Sequence, residues 1–162
     1  MSMKMNIRLL PIREEGKQLE PLPELPAEAD GILEMNRSLY AAQGFVPPWI
    51  AYLAVDDSGV KGTCAFKSPP VNGRVEIAYF SFPGNEAQGL ATEMARQMVQ
   101  MAREADASMI ITAQTLLERN ASHRVLEKNG FVKTGTAEDA EVGTVQEWRW
   151  DGSQGTSAEA HS

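Results

Sequence analysis

Apolar residues run in short, partly alternating stretches through the first half of the chain and take a helical period after residue 89. Asn6–Ile12 (NIRLLPI) reads as a first strand. Pro21, Pro23 and Pro26 deny the next segment a regular helix and predict an extended loop. The stretch 29–44 (ADGILEMNRSLYAAQG) predicts a helix reaching Ala42, with Gly44 near its end. Residues 49–56 (WIAYLAVD) and 60–68 (VKGTCAFKS) read as a hairpin pair around the tight turn DSG. A second turn signal, PPVNG, leads into the strand 74–82 (RVEIAYFSF).

From Gly89 onward, Leu90, Met94, Met98, Met101 and Ala105 fall three or four apart, an amphipathic helix with its stripe turned to a core. Residues 107–114 (ASMIITAQ) predict a strand, and 120–129 (NASHRVLEKN) a short helix stopped by Gly130. Residues 131–138 (FVKTGTAE) and 142–150 (VGTVQEWRW) close the pattern as two more strands. The order is β, a helical region, β-β-β, α, β, α, β-β, without an internal repeat. It predicts an α/β (α+β) domain over residues 1–150, built on one mixed central sheet flanked by helices. Residues 151–162, small and polar, are expected to form a disordered tail.

A length of 162 residues suits one domain, and 43% hydrophobic with 23% charged residues is the balance of an ordinary globular protein. The net charge of -7 repels phosphate backbones, which argues against nucleic acid and suits a cationic or amine-bearing substrate. One cysteine, Cys64, cannot form an internal disulfide, and its apolar surroundings predict a core thiol rather than a nucleophile. With two histidines there is no persuasive metal cluster, so no metal is expected. No apolar run approaches a bilayer span, and no secretory signal opens the chain, so a cytoplasmic protein without membrane contact is expected. A homo-oligomer stays open.

The junction 84–89 (GNEAQG) between strand and long helix is the candidate site. A helix start leaves backbone N–H groups without intrahelical partners, and the helix dipole favours an anion there. Gly84 and Gly89 let the backbone turn and approach a ligand, while Ala87 and Ala91 keep bulk away. The same glycines also suit an ordinary turn. Neither GxxxxGK[ST] nor the dinucleotide GxGxxG is present.

The segment Glu86-Ala87-Gln88-Gly89-Leu90-Ala91, followed by Thr92-Glu93, resembles the cofactor motif of the GNAT superfamily of acyl-CoA-dependent N-acyltransferases. The strand VEIAYF and the later NASHRVLEKNGFVKTG are similar to the ribosomal-protein N-terminal acetyltransferase branch. These matches run in the expected order over roughly residues 50–150. The resemblance implies that acetyl-CoA is the cosubstrate and that a primary amine of a small molecule or protein is the acceptor. It places the pyrophosphate on the amides of Gln88, Gly89, Leu90, Ala91 and Thr92, with Glu86 and Ala87 at the loop edge. It pairs the pantetheine arm with the strand Ala78, Tyr79, Phe80 and Ser81, and brings Asn120 to the cofactor. Asn120 also suits a helix N-cap. Glu86 departs from the family's usual arginine or glutamine and is expected to face solvent, since a carboxylate pointing inward would repel pyrophosphate.

Acyl transfer to an amine needs a neutral amine, a polarised carbonyl and a proton for the thiolate. A backbone N–H of the Tyr79 strand is the economical oxyanion donor. Glu76 is the candidate base or ammonium binder, and a solvated strand carboxylate is its plain alternative. Ser122 is the candidate proton donor, because the tyrosine many relatives carry in this helix is replaced by Leu126. His123 is expected at the surface. Tyr40, Phe45 and Trp49 are candidate walls of an acceptor pocket, with Pro47-Pro48 stiffening its entry. A non-catalytic acyl-CoA-binding module is the rival reading, and a phosphate-binding module without acyl transfer a third.

Overall fold

The computed structural model describes residues 6–14, 27–84, 89–118 and 120–152. The predicted proline loop, the residues Glu86, Ala87 and Gln88, and the predicted tail beyond residue 152 lie outside the described residues. The elements are β1 (Arg8–Pro11), α1 (Ala27–Gln43), β2 (Ala51–Asp56), β3 (Gly59–Phe66), β4 (Arg74–Ser81), α2 (Leu90–Ala105), β5 (Ile110–Leu116), α3 (Ala121–Lys128), β6 (Phe131–Asp139) and β7 (Gly143–Trp150). Their order is the one the hydrophobic pattern predicts.

The strands form one seven-stranded mixed sheet in the order β1-β2-β3-β4-β5-β7-β6. The hairpin-connected strands pair antiparallel, while β4 and β5, joined through α2, pair parallel. Tight turns suffice for the former, and a parallel pair needs a crossover long enough to return the chain. The sheet is therefore an antiparallel half and a second half joined at one parallel seam.

The face of α2 that packs on the sheet carries Leu90, Met94, Met98 and Ala102, all buried, with Ala95 and Val99 beside them. Met101 is half-buried, as its place in the predicted stripe allows, but Ala105 is exposed at the helix end and Ala102 occupies the core instead. Leu126 of α3, Phe131 and Trp148 extend the same core under the second half of the sheet. The α3 helix ends at Gly130, whose φ of +86° is costly for any residue with a Cβ.

Candidate functional site

The two edges of β4 differ. On one side it pairs with β3 from Ile77↔Phe66 to Ser81↔Gly62. On the other it pairs with β5 only at Arg74, Val75 and Glu76, after which the strands part. Along its far edge β5 pairs with β7 from Thr112 to Leu116. Strand alternation fixes which groups face the gap. Phe82 N–H donates to Lys61 O and Lys67 N–H to Glu76 O, both at 2.9 Å, so the even-numbered residues direct their peptide groups to β3. Tyr79 and Ser81 therefore direct theirs into the gap. Gly62 lets β3 and β4 approach this closely, since a Cβ there would lie 2.5 Å from Phe80 O.

Beyond β4 the chain reaches α2 through Gly89, the N-cap residue, with φ 73° and ψ 11°. That left-handed conformation favours glycine, and no side chain caps the helix. The first-turn amides, from Leu90 to Thr92, thus belong to a helix start without a side-chain acceptor. Glu93, in the same turn, is held by Arg96 at 2.6 and 2.9 Å and by Gln97 at 2.8 Å. Asn129 locks this end of α2 to α3 by donating to Thr92 O at 3.2 Å and Val125 O at 2.9 Å.

The other side of the gap is α3. Asn120 is its N-cap, accepting from Ser122 N–H at 2.9 Å. The Ser122 side chain sits beside the Tyr79 phenol, so β4 and α3 face each other through two hydroxyls. Burial pushes the Tyr79 pKa up to about 12, against the opposing pull of the Ser122 hydroxyl. Tyr79 is thus a neutral phenol at ordinary pH. The sequence pointed to Tyr79 for its backbone alone, and Leu126, at the position where many relatives carry a tyrosine, is buried in the core.

His123 is buried to 1% exposure, contrary to the surface position expected of it. Its Nε2 lies 2.9 Å from Leu116 O and 3.2 Å from Thr115 Oγ1, which also accepts from Trp148 Nε1 at 2.9 Å. A carbonyl only accepts, so Nε2 carries hydrogen, while the buried Nδ1 has no partner. The Trp148 ring packs edge-on, with centroids 5.2 Å apart. His123 therefore ties the end of β5 to α3. Its spacing of three from Leu126 placed it on the apolar face, a signal its polarity obscured.

On the opposite sheet face, register puts Ala65 beside Ala78 and Thr63 beside Phe80. These residues, with α1, enclose a cavity of about 500 Å³. Ile32, Met35, Leu39, Trp49 and Phe80 give its walls their apolar character, and Glu141 reaches it from the β6–β7 turn. Tyr40 and Trp49 line it as expected, but Phe45 stands behind, edge-on to Tyr40 at 5.0 Å. The Tyr40 hydroxyl is committed to structure, donating to Ile12 O and accepting from Ala51 N–H, each at 2.9 Å.

Glu76 occupies the same sheet face as Ala78, one alternate position away. It is half-buried, and Oε2 lies 2.9 Å from Lys67 Nζ, an ion contact without hydrogen-bond alignment. Lys67 itself lines the cavity. The Cys64 thiol is buried, and burial raises its pKa, so it is a core group as predicted. Among the described residues no cluster of three His, Cys, Asp or Glu side chains is placed to hold a metal, and no helix is long and apolar enough to cross a membrane.

Thus the gap, the Gly89 helix start and the Tyr79–Ser122 pair lie on one side of β4, and the cavity on the other. Solved structures share this fold. A spermidine N-acetyltransferase chimera of Vibrio cholerae SpeG and hSSAT aligns with TM-score 0.67 and 11% identity over 94% of this chain and 99% of that one. The ribosomal L7/L12 α-N-protein acetyltransferase RimL in complex with coenzyme A aligns at 0.64 and 16%, over 90% and 94%. The microcin C7 self-immunity acetyltransferase MccE in complex with acetyl-CoA and AMP aligns at 0.61 and 12%, over 76% and 69%. No curated protein matches significantly in sequence. The acetyltransferase (GNAT) domain family matches residues 13–132, most of the chain, and the protein belongs to that family.

Proposed function

We propose that the protein is an N-acetyltransferase that moves the acetyl group of acetyl-CoA to a primary amine. The parting of β4 from β5, with Tyr79 and Ser81 directed into the gap, carries this reading. An extended arm with amide groups fits such an edge, as a peptide does in strand addition. Gln88, Gly89, Leu90, Ala91 and Thr92 would take the pyrophosphate on backbone amides, with Glu86 and Ala87 bordering it and Ala78, Tyr79, Phe80 and Ser81 flanking the arm. Asn120 keeps its N-cap bond and stands at the gap's α3 side. The likeness to coenzyme A-bound RimL and the segment NASHRVLEKNGF support the cofactor half of the reading and a place near the ribosomal-protein N-terminal acetyltransferase branch.

In the reaction, the amine nitrogen forms a bond to the acetyl carbonyl carbon and the carbon–sulfur bond breaks. Tyr79 N–H would steady the carbonyl oxygen as charge develops. Glu76 would accept the proton the amine sheds, directly or through water, with Lys67 holding its carboxylate. Ser122 would donate to the departing thiolate, with the neutral Tyr79 phenol beside it. Two observations favour the rival, a binding module without turnover: Lys67 neutralises Glu76, and Leu126 replaces the usual tyrosine.

Thiol release from acetyl-CoA over an amine and peptide panel tests the reading. Glu76→Gln and Ser122→Ala should each lower kcat by about 10²-fold, the low end for proton transfer, with coenzyme A affinity unchanged. Gly89→Trp should weaken coenzyme A about tenfold or more, equivalent to about 1.4 kcal/mol. Coenzyme A binding without thiol release from any amine would favour the rival. Coenzyme A bound no tighter than a simple adenine nucleotide would overturn both.

A further inference from the structure

The cavity beside Ala78 has a lining that discriminates among amines. Its charged residues are Lys67 and Glu141, one of each sign. Glu76, on the same sheet face as Ala78, is already in contact with Lys67 at 2.9 Å. With Lys67 paired to Glu76, Glu141 is the lining carboxylate left to balance a single ammonium, so a polyamine or aminoglycoside would bring further positive charges without partners there, and burying them uncompensated is costly. A peptide terminus would bring a row of amides. Gln43 Nε2 is engaged with Lys67 O at 3.1 Å, and the Tyr40 hydroxyl has both of its bonds inside the fold.

Two side-chain acceptors of α1 remain available at the cavity, Gln43 Oε1 near the end of the helix and Asn36 Oδ1 in the middle of its wall. Asn36 is 5% exposed, at i+4 from Ile32 and i−4 from Tyr40 on the buried stripe of the helix. Its Nδ2 donates to Ile32 O at 2.9 Å, which leaves Oδ1 as an acceptor in an otherwise apolar wall. A mid-helix asparagine that bonds i−4 gains little there, because that carbonyl already serves the helix. Its acceptor is then best used by a donor inside the cavity. Against it stand Ile32, Met35, Leu39, Trp49 and Phe80, with Met35 55% and Phe80 52% exposed. Large apolar side chains left this exposed around one opening mark a binding surface.

We infer that the acceptor is a primary monoamine on an apolar body of arylalkyl size, held among Trp49, Phe80 and the α1 wall and oriented by Asn36 Oδ1. This rests on the acetyltransferase reading for its chemistry and on the cavity alone for its binding. The full chain is assayed with acetyl-CoA and 2-phenylethylamine, spermidine, kanamycin and an alanine-initiated pentapeptide. The expected result is a kcat/KM for 2-phenylethylamine at least tenfold above the other three. Ala65→Leu, which fills the cavity floor, should raise its KM about tenfold without altering coenzyme A affinity. Asn36→Leu should raise KM several-fold, and supplies a second variant should Ala65→Leu not fold.

Binding is read separately from turnover. Titrating 2-phenylethylamine should change tryptophan fluorescence saturably, and Trp49→Phe should remove that change. If coenzyme A binds and spermidine, kanamycin or the peptide is the best acceptor, the monoamine class is wrong while acetyl transfer stands. If no amine is acetylated but the Trp49 signal saturates with 2-phenylethylamine and not with spermidine, the cavity assignment stands and the acetyltransferase reading falls. No saturable signal, with no preference among acceptors, overturns the inference.

Discussion

The two edges of β4 present alternate residues to opposite fates. Toward β3 the strand is paired in register to Ser81, with Gly62 permitting close approach; toward β5 it is paired only to Glu76. The closed edge fixes the strand's position and twist, which lets the open edge present Tyr79 and Ser81 without a partner strand. Rigidity on one side is what makes an orderly opening on the other possible.

The harshest way to break this contrast is to force the closed edge apart. Gly62→Ala puts a methyl group 2.5 Å from Phe80 O, so β4 must shift. Denaturant melts should show a loss of about 1–3 kcal/mol, and coenzyme A affinity should fall with it. A milder test loosens the frame of the open edge. Asn129→Ala removes the bonds to Thr92 O and Val125 O that join α2 to α3. Urea unfolding should report a loss of about 1 kcal/mol, with coenzyme A binding weakened more than the cavity's amine binding.

Tyr79 offers a pH test. Its folded pKa is pushed from 10.0 up to about 12 by burial, so the folded state holds the phenolic proton more tightly than the unfolded chain. That contribution is fully present below about pH 10 and is lost as pH rises toward about 12. Tyr79→Phe should therefore show a flatter decline of stability across this window, with Tyr40 and Tyr52, also raised by burial, providing the remaining slope. A parallel decline in both proteins would mean that burial does not hold the Tyr79 phenol protonated. The smallest effect is expected at Cys64. A thiol reagent should leave it unlabelled in the native protein and label it on unfolding, because it is buried on the closed side.

Much of the fold was legible because it rests on local rules. The Leu90–Met98 stripe, the turn at Asp57–Ser58 and the glycine at the α3 end are written in neighbouring residues. The parting of the sheet is not local: it lies between β4 and β5, which meet only across α2, and β5 is braced on its far edge by a segment some thirty residues later, as in Ala113↔Trp148. The cavity was half legible for the same reason. Trp49 and Tyr40 stand out in sequence, but Glu141 belongs to a distant turn, and Lys67 gains meaning only beside Glu76. Asn36 and His123 were hidden by their polarity, though helical spacing set both on buried faces. Polar residues on an apolar stripe are where a pattern-based reading fails and where a specific role is to be sought.

A sheet has two rims, here β1 and β6. Where β5 parts from β4, this sheet acquires a further pair of edges, internal to the molecule. β5 keeps its ladder with β7 along the far edge from Thr112 to Leu116, while its near edge gives up strand pairing past Thr112. The width of the slot is therefore set by the protein's own ladder rather than by its contents.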